Sequence, residues 1–214
     1  MKPTVALFIA DPKCSVQSGN GIIKALSPYY DFKIFSKNSL EDVFFKNVDI
    51  IIIPGGLGDA ASYKTLFKNN ERAVRKFVAH GGKYLGICMG AYWAGSHYFN
   101  ILDSLDAVQY ITQPGTDTRR PHAKAIDIVW KETPMKMFFY DGCALVGDHR
   151  KFKTIATYAN GDSMAVVQNN IGLIGCHPES EQFWYDSYSW LKNKYHGGSQ
   201  HKLLLEFVDN LIKS

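Results

Sequence analysis

The sequence lacks what marks several large protein classes. Its four cysteines, Cys14, Cys88, Cys143 and Cys176, are irregularly spaced and include no CxxC pair, so a zinc knuckle or redox dithiol has no framework. Runs of Lys and Arg are missing and the net charge is only +4, whereas a nucleic-acid surface needs a concentrated basic stripe. The nearest approaches are Arg119-Arg120 and the segment from His149 to Lys153. No apolar run is long enough to span a bilayer. The first such run, Val5 to Ala10, ends at Asp11 without a small-residue cleavage site, and so reads as a buried strand rather than a leader. These absences predict a chain of the reducing cytoplasm with free thiols, no nucleic-acid or membrane partner and no bound metal.

What is present is ordinary globular composition: 46% hydrophobic and 21% charged residues over 214 positions, enough for one core and read as one domain over 1–214. Aromatic clusters at Phe138-Phe139-Tyr140 and Phe183-Trp184-Tyr185 suit a core or a cleft wall. Short apolar runs alternate with longer amphipathic stretches, the pattern of a mostly parallel sheet covered by helices. Strands are expected at Thr4 to Ala10, Phe32 to Phe35, Val48 to Ile53, Lys83 to Cys88 and Ile171 to Gly175. Helices are expected within Val16 to Leu26, despite Gly19 and Gly21, and over Asn70 to His80, Gly90 to His97, Glu181 to Lys194 and Ser199 to Ile212. A turn is expected at Asp11-Pro12, and Ser39 with Asp42 resembles a helix start. Between them, Ala125 to Trp130, Met137 to Phe139, Ala144 to Gly147, Thr154 to Tyr158 and Met164 to Gln168 suggest an antiparallel extension. Asp103 to His122 is the least regular segment and is expected to form a loop over the active-site side.

The chemistry concentrates at Gly86-Ile87-Cys88-Met89-Gly90, where an apolar strand runs into a helix. This is the hydrolase elbow with cysteine in place of serine. Its turn crowds both neighbours, so the flanking positions must be glycine. The helix dipole favours a thiolate, and the free N–H of Met89 suits an oxyanion. A second donor is expected at Gly55 or Gly56, at the end of a neighbouring strand. An isolated cysteine would more often be a buried core residue; the strand-glycine-glycine-helix context favours the functional reading.

His177-Pro178-Glu179 follows another apolar strand. Histidine can take a thiol proton and a carboxylate can hold the imidazole tautomer. An extended backbone before Pro178 would let both side chains reach one cleft. A chance His-Pro-Glu surface turn is the bland alternative, and His149 and His122 compete as bases, but neither has a carboxylate suitably placed after a core strand. Metal binding by Cys88, Cys176 and His177 is disfavoured because alternation points Cys176 away from His177.

Pro54-Gly55-Gly56, Gly86-Ile87-Cys88-Met89-Gly90 and His177-Pro178-Glu179, in that order, resemble class I glutamine amidotransferases. The elbow Leu85 to Tyr92 and the segment Phe139-Tyr140-Asp141-Gly142 resemble in particular the amidotransferase-like domain at the N-terminus of some biotin–protein ligases. The resemblance implies a flavodoxin-like three-layer α/β sandwich, a Cys88–His177–Glu179 triad and an oxyanion hole near Gly56 and Met89; no cofactor is expected. Intracellular-protease-like relatives carry histidine directly after the cysteine, and Met89 stands there instead. The chain departs from true glutamine amidotransferases in having Ala91-Tyr92-Trp93 where a substrate-gripping glutamine is usual. It also carries no synthetase or ligase region to receive ammonia, which implies an acceptor or synthetase partner protein or a substrate other than glutamine.

The function this supports is cysteine-dependent hydrolysis of a small-molecule amide through a thioester. Tyr92, Arg119, Arg120 and Tyr140 are the candidate substrate contacts; paired arginines could hold a carboxylate. The competing readings are a non-catalytic binding or regulatory module with the same shape, and a small cysteine peptidase or deamidase.

Overall fold

The computed structural model describes residues 2–10, 16–38, 42–67 and 70–214; Cys14, the Asp11-Pro12 turn and Ser39 lie outside them. The first half alternates strand and helix. Strand β1 (Thr4–Phe8) leads to α1 (Val16–Leu26), β2 (Asp31–Phe35) to a 3-10 turn (Asp42–Phe45), and β3 (Ile50–Ile53) to α2 (Ala60–Phe67) and α3 (Glu71–Ala79). Strand β4 (Lys83–Ile87) then runs directly into α4 (Met89–Ala94). Parallel pairing in the order β2-β1-β3-β4 buries all four isoleucines of β3 completely. Burial on both faces is why that strand reads as unbroken β-branched residues rather than as an alternation.

The second half is antiparallel. Strands β5 (Leu105–Gln109), β6 (Lys124–Trp130), β7 (Thr133–Phe139), β8 (Cys143–Gly147), β9 (Lys153–Tyr158) and β10 (Ser163–Gln168) precede β11 (Ile171–Ile174). Strand β11 inserts parallel to β4, and the sheet continues outward as β10-β9-β6-β7 with β8 and β5 branching from β10. The last helices are α5 (Gln182–Asp186) and α6 (Ser199–Lys213). One apolar cluster joins α1 and α6 to one face of the sheet, and a second packs α2, α3 and α4 against the other. This is the layered α/β architecture expected, a largely parallel sheet with an antiparallel extension. Among the described residues, no helix is long and apolar enough to cross a membrane.

Three segments differ from expectation. Asp103 to His122 is not a plain loop: β5 pairs with β8 along its whole length, from Leu105↔Gly147 to Gln109↔Cys143. Leu105 is its one buried residue, so its pattern is too weakly apolar to announce a strand. The helix expected over Glu181 to Lys194 ends at Asp186 and gives way to turns. Helix α2 lies where none was expected, because Gly55-Gly56 and Gly58 dominate the local sequence while Tyr63, Leu66 and Phe67 supply the buried face.

Candidate active site

The site follows from register. Strands β3, β4 and β11 are adjacent and parallel, with Ile53 opposite Gly86 and Ile174 opposite Ile87. Whatever follows each strand therefore emerges on the same rim. Those followers are Gly55, Cys88 and His177. The Cys88 N–H donates to the Ile174 carbonyl at 2.8 Å, tying two of the three strand ends together.

Cys88 has φ 49° and ψ −103°, a backbone conformation costly for a residue with a side chain. The surroundings enforce it. A Cβ on Gly86 would overlap the Gly90 carbonyl, and one on Gly90 would overlap the carbonyl of Ile53. Both glycines are thus required by close backbone approach. The bend leaves Cys88 5% exposed at the N-terminus of α4. Its thiol donates to the Tyr140 carbonyl, with sulfur and oxygen 3.6 Å apart. Met89 is the first residue of α4, and helix geometry gives its N–H no intrahelical acceptor.

The imidazole and carboxylate meet through a turn. His177 is extended and bridges Phe138, donating its N–H to the Phe138 carbonyl at 2.9 Å. The chain then reverses, with the Ser180 N–H returning to the His177 carbonyl at 3.2 Å. Pro178 occupies the second turn position, which its fixed φ suits. The expected extended backbone is therefore confined to His177, and the turn carries Glu179 back beside the ring. His177 Nδ1 and Glu179 Oε1 are 2.8 Å apart, with Glu179 fully buried. Phe138 and Trp184 pack edge-on against the imidazole. Burial opposes charge on His177, but the Glu179 carboxylate and the neighbouring Cys88 sulfur outweigh it and push its pKa up to about 10.

Ser18, which carries no recognisable motif, also belongs to this constellation. Its hydroxyl is 2.6 Å from Glu179 Oε1 and accepts the Gly55 N–H at 3.0 Å. That contact corrects one expectation: the Gly55 N–H is occupied by Ser18 and is not a free oxyanion donor. Gly55 is instead needed for space, since a Cβ there would lie 2.6 Å from His177 Cε1. Gly56 and Met89 are left as the candidate donors.

The other candidates separate. Tyr92 packs its ring over Gly58 and donates its hydroxyl to the Asp141 carbonyl at 3.3 Å, so it closes a wall between α4 and the β7–β8 turn. Tyr140 contributes its carbonyl to Cys88 while its side chain is exposed. The Asp141 carboxyl is held above its usual range by burial, against the opposing hydrogen bond from Gln109. Arg119 and Arg120 are exposed, and Arg119 donates to the Gln113 carbonyl at 3.3 Å within its own loop. No contact joins either arginine to Cys88, His177 or Glu179. Cys176 turns its sulfur to the Tyr158 hydroxyl at 3.8 Å, away from the His177 side as alternation requires.

Comparison with known proteins agrees with this architecture. The family described as "Biotin-protein ligase, N terminal" matches residues 11–113. A search among curated proteins finds no match. Among solved structures, one titled as a glutamine amidotransferase superposes with a TM-score of 0.68 at 15% identity, over 98% of this chain and 99% of its own. A second glutamine amidotransferase, from Thermotoga maritima, gives 0.67 at 11% identity over 100% of both chains. A structure of PurLQS from the same organism gives 0.65 at 14% identity, over 98% of this chain and 99% of that one. At such identities the superpositions speak for the fold, while the sequence match adds the biotin–protein ligase likeness. The chain therefore has the fold of the glutamine amidotransferase structures, and its residues 11–113 are similar to the N-terminal domain of biotin–protein ligases.

Proposed function

We propose that this protein is a cysteine-dependent amide hydrolase in which Cys88 is the nucleophile, His177 the proton carrier and Glu179 the group that holds the imidazole. The observation that carries this reading is the positive φ of Cys88 at a strand–helix junction, on the same rim as a buried His177–Glu179 pair. Backbone strain of this kind persists where the surroundings over-determine it, as they do at functional sites. The raised pKa of His177 supports an imidazolium beside the sulfur at neutral pH.

In the reaction, the Cys88 thiolate attacks the amide carbonyl carbon and the carbonyl oxygen becomes an oxyanion facing the N–H groups of Met89 and Gly56. His177 Nε2 gives its proton to the departing nitrogen as the C–N bond breaks, leaving a thioester. Water then attacks that thioester, losing its proton to His177, and the C–S bond breaks to return the thiolate and release a carboxylic acid. Glu179 keeps Nδ1 protonated throughout, so Nε2 is the nitrogen that exchanges protons.

Glutamine is one substrate to test, but the wall formed by Tyr92 and the β7–β8 turn gives this chain a different lining from a glutamine grip, which favours a broader search among small amides. Ammonia or amine release from glutamine and a panel of primary and secondary amides, with Cys88→Ala as control, tests the proposal. Release that requires Cys88 supports it; release unaffected by Cys88→Ala overturns it. A ligand bound equally by both forms, with no turnover, favours the binding-module reading instead.

A further inference from the structure

We propose that Ser18 is a positioning residue that couples the Glu179 carboxylate to the Gly55-Gly56 turn, so that the imidazole's anchor and the oxyanion loop are held by one hydroxyl. This rests on the catalytic reading above and adds a residue to it.

The argument starts with how α1 approaches the site. A Cβ at Gly21 would overlap the Glu179 carbonyl oxygen, so glycine there lets the helix lie directly on the His177–Ser180 turn. Ser18, one helical turn earlier, falls on the same face. It is fully buried, as is Glu179. Among the described residues, Glu179 Oε2 has no hydrogen-bond partner, so the carboxylate is solvated through Oε1 alone, by the imidazole at 2.8 Å and the Ser18 hydroxyl at 2.6 Å.

Hydroxyl chemistry then fixes the direction of each bond. The Gly55 N–H can only donate, so Ser18 Oγ accepts it at 3.0 Å. An ionised carboxylate can only accept, so the single Ser18 proton goes to Glu179. The arrangement is satisfied when Glu179 is charged. With Ser18 gone, His177 is the one donor left to the buried carboxylate among the described residues and the Gly55 N–H loses its acceptor, an outcome that leaves two buried polar groups short of partners. The carboxylate, short of one donor, then accepts more strongly from the imidazole, and His177 holds its proton more firmly. At the same time the Gly55-Gly56 turn, which packs against the His177 ring, loses its tie to α1.

The test is the rate of Cys88 alkylation by iodoacetamide in the full chain, together with an NMR titration of the His177 ring, for the parent and Ser18→Ala, Ser18→Thr and Ser18→Cys. Ser18→Ala is expected to slow alkylation at pH 7 about tenfold through the loosened Gly55-Gly56 turn and to raise the pH at which His177 loses its proton. Ser18→Thr, which keeps the hydroxyl, restores both. Ser18→Cys fills the same space with a weak donor and shifts both readouts the same way as alanine, which covers the case of an alanine variant that does not fold. Parent-like alkylation and His177 titration in Ser18→Ala or Ser18→Cys overturn the role of Ser18 and leave the catalytic reading standing. A parent chain whose Cys88 is not alkylated overturns both.

Discussion

Gly55 and His177 are in direct contact: a single added methyl group on Gly55 would sit 2.6 Å from the imidazole Cε1. The ring is therefore positioned by the end of β3 at Cε1 and by Glu179 at Nδ1. Gly55→Ala must displace either the ring or the turn. It is expected to slow Cys88 alkylation on the order of tenfold or more, at 1–3 kcal/mol for overpacking a tight site. Parent-like kinetics in a folded Gly55→Ala protein would show that the contact has slack.

Gly90 sets the elbow in a similar way, but against backbone. Because its added Cβ would meet the Ile53 carbonyl, relief requires moving α4 away from β3. Gly90→Ala is predicted to lower stability by roughly 1–3 kcal/mol, read as a reduced urea midpoint with an unchanged slope. A midpoint equal to the parent's would mean the strand–helix junction can relax.

Removing the charge on Glu179 while keeping its shape tests the anchor. In Glu179→Gln the imidazole loses the carboxylate that offsets its burial, so its pKa should fall by at least about one unit, equivalent to a tenfold change in the charged fraction. NMR titration of the His177 ring measures it. An unmoved titration would assign the raised value to Cys88 alone.

Two histidines give opposite pH signatures. Burial lowers the pKa of His177, but attraction from Glu179 and Cys88 outweighs burial and raises it to about 10 from 6.5. Its stabilising contribution is present below 6.5 and disappears as pH climbs through 10, where the proton needed by the leaving nitrogen is also lost. Activity is therefore expected to fall on the alkaline side near that value. His196 behaves in the other direction. Burial lowers it to about 4 from 6.5, and its ring accepts the N–H groups of Gly198 and Gln200 at the start of α6. The folded chain then binds fewer protons than the unfolded one between those values, so stability falls as pH drops from 6.5 towards 4. Urea midpoints at pH 7 and pH 5 should differ less in His196→Gln than in the parent; an equal difference would remove His196 from the account.

Much of this was legible in the sequence because the parallel half obeys local rules. Val48 to Ile53 read as a strand buried on both faces, and Gly-x-Cys-x-Gly at the end of Lys83 to Cys88 required a tight strand–helix bend. His177-Pro178-Glu179 was readable as a pair from residue chemistry, although the turn that joins them was not, since proline permits several turn geometries. What stayed hidden depends on contacts distant in sequence. Ser18 meets Glu179 across 161 residues, and its only local trace is the small-residue face it shares with Gly21, which first looked like a weakness in the helix. Gly55 looked like a free donor because nothing nearby reveals that a hydroxyl from α1 takes its N–H. Strand β5 was missed because only Leu105 in it is buried.

The most direct test of the whole account is site-resolved alkylation of the native protein with iodoacetamide at neutral pH, read by peptide mass spectrometry. Cys88 is expected to be modified far faster than Cys143 and Cys176, both fully buried and with thiols pushed up by that burial, and Cys88→Ala should abolish the fast phase while leaving the fold unchanged. Modification of Cys88 no faster than of those two core thiols, or a fast phase that survives Cys88→Ala, would contradict it.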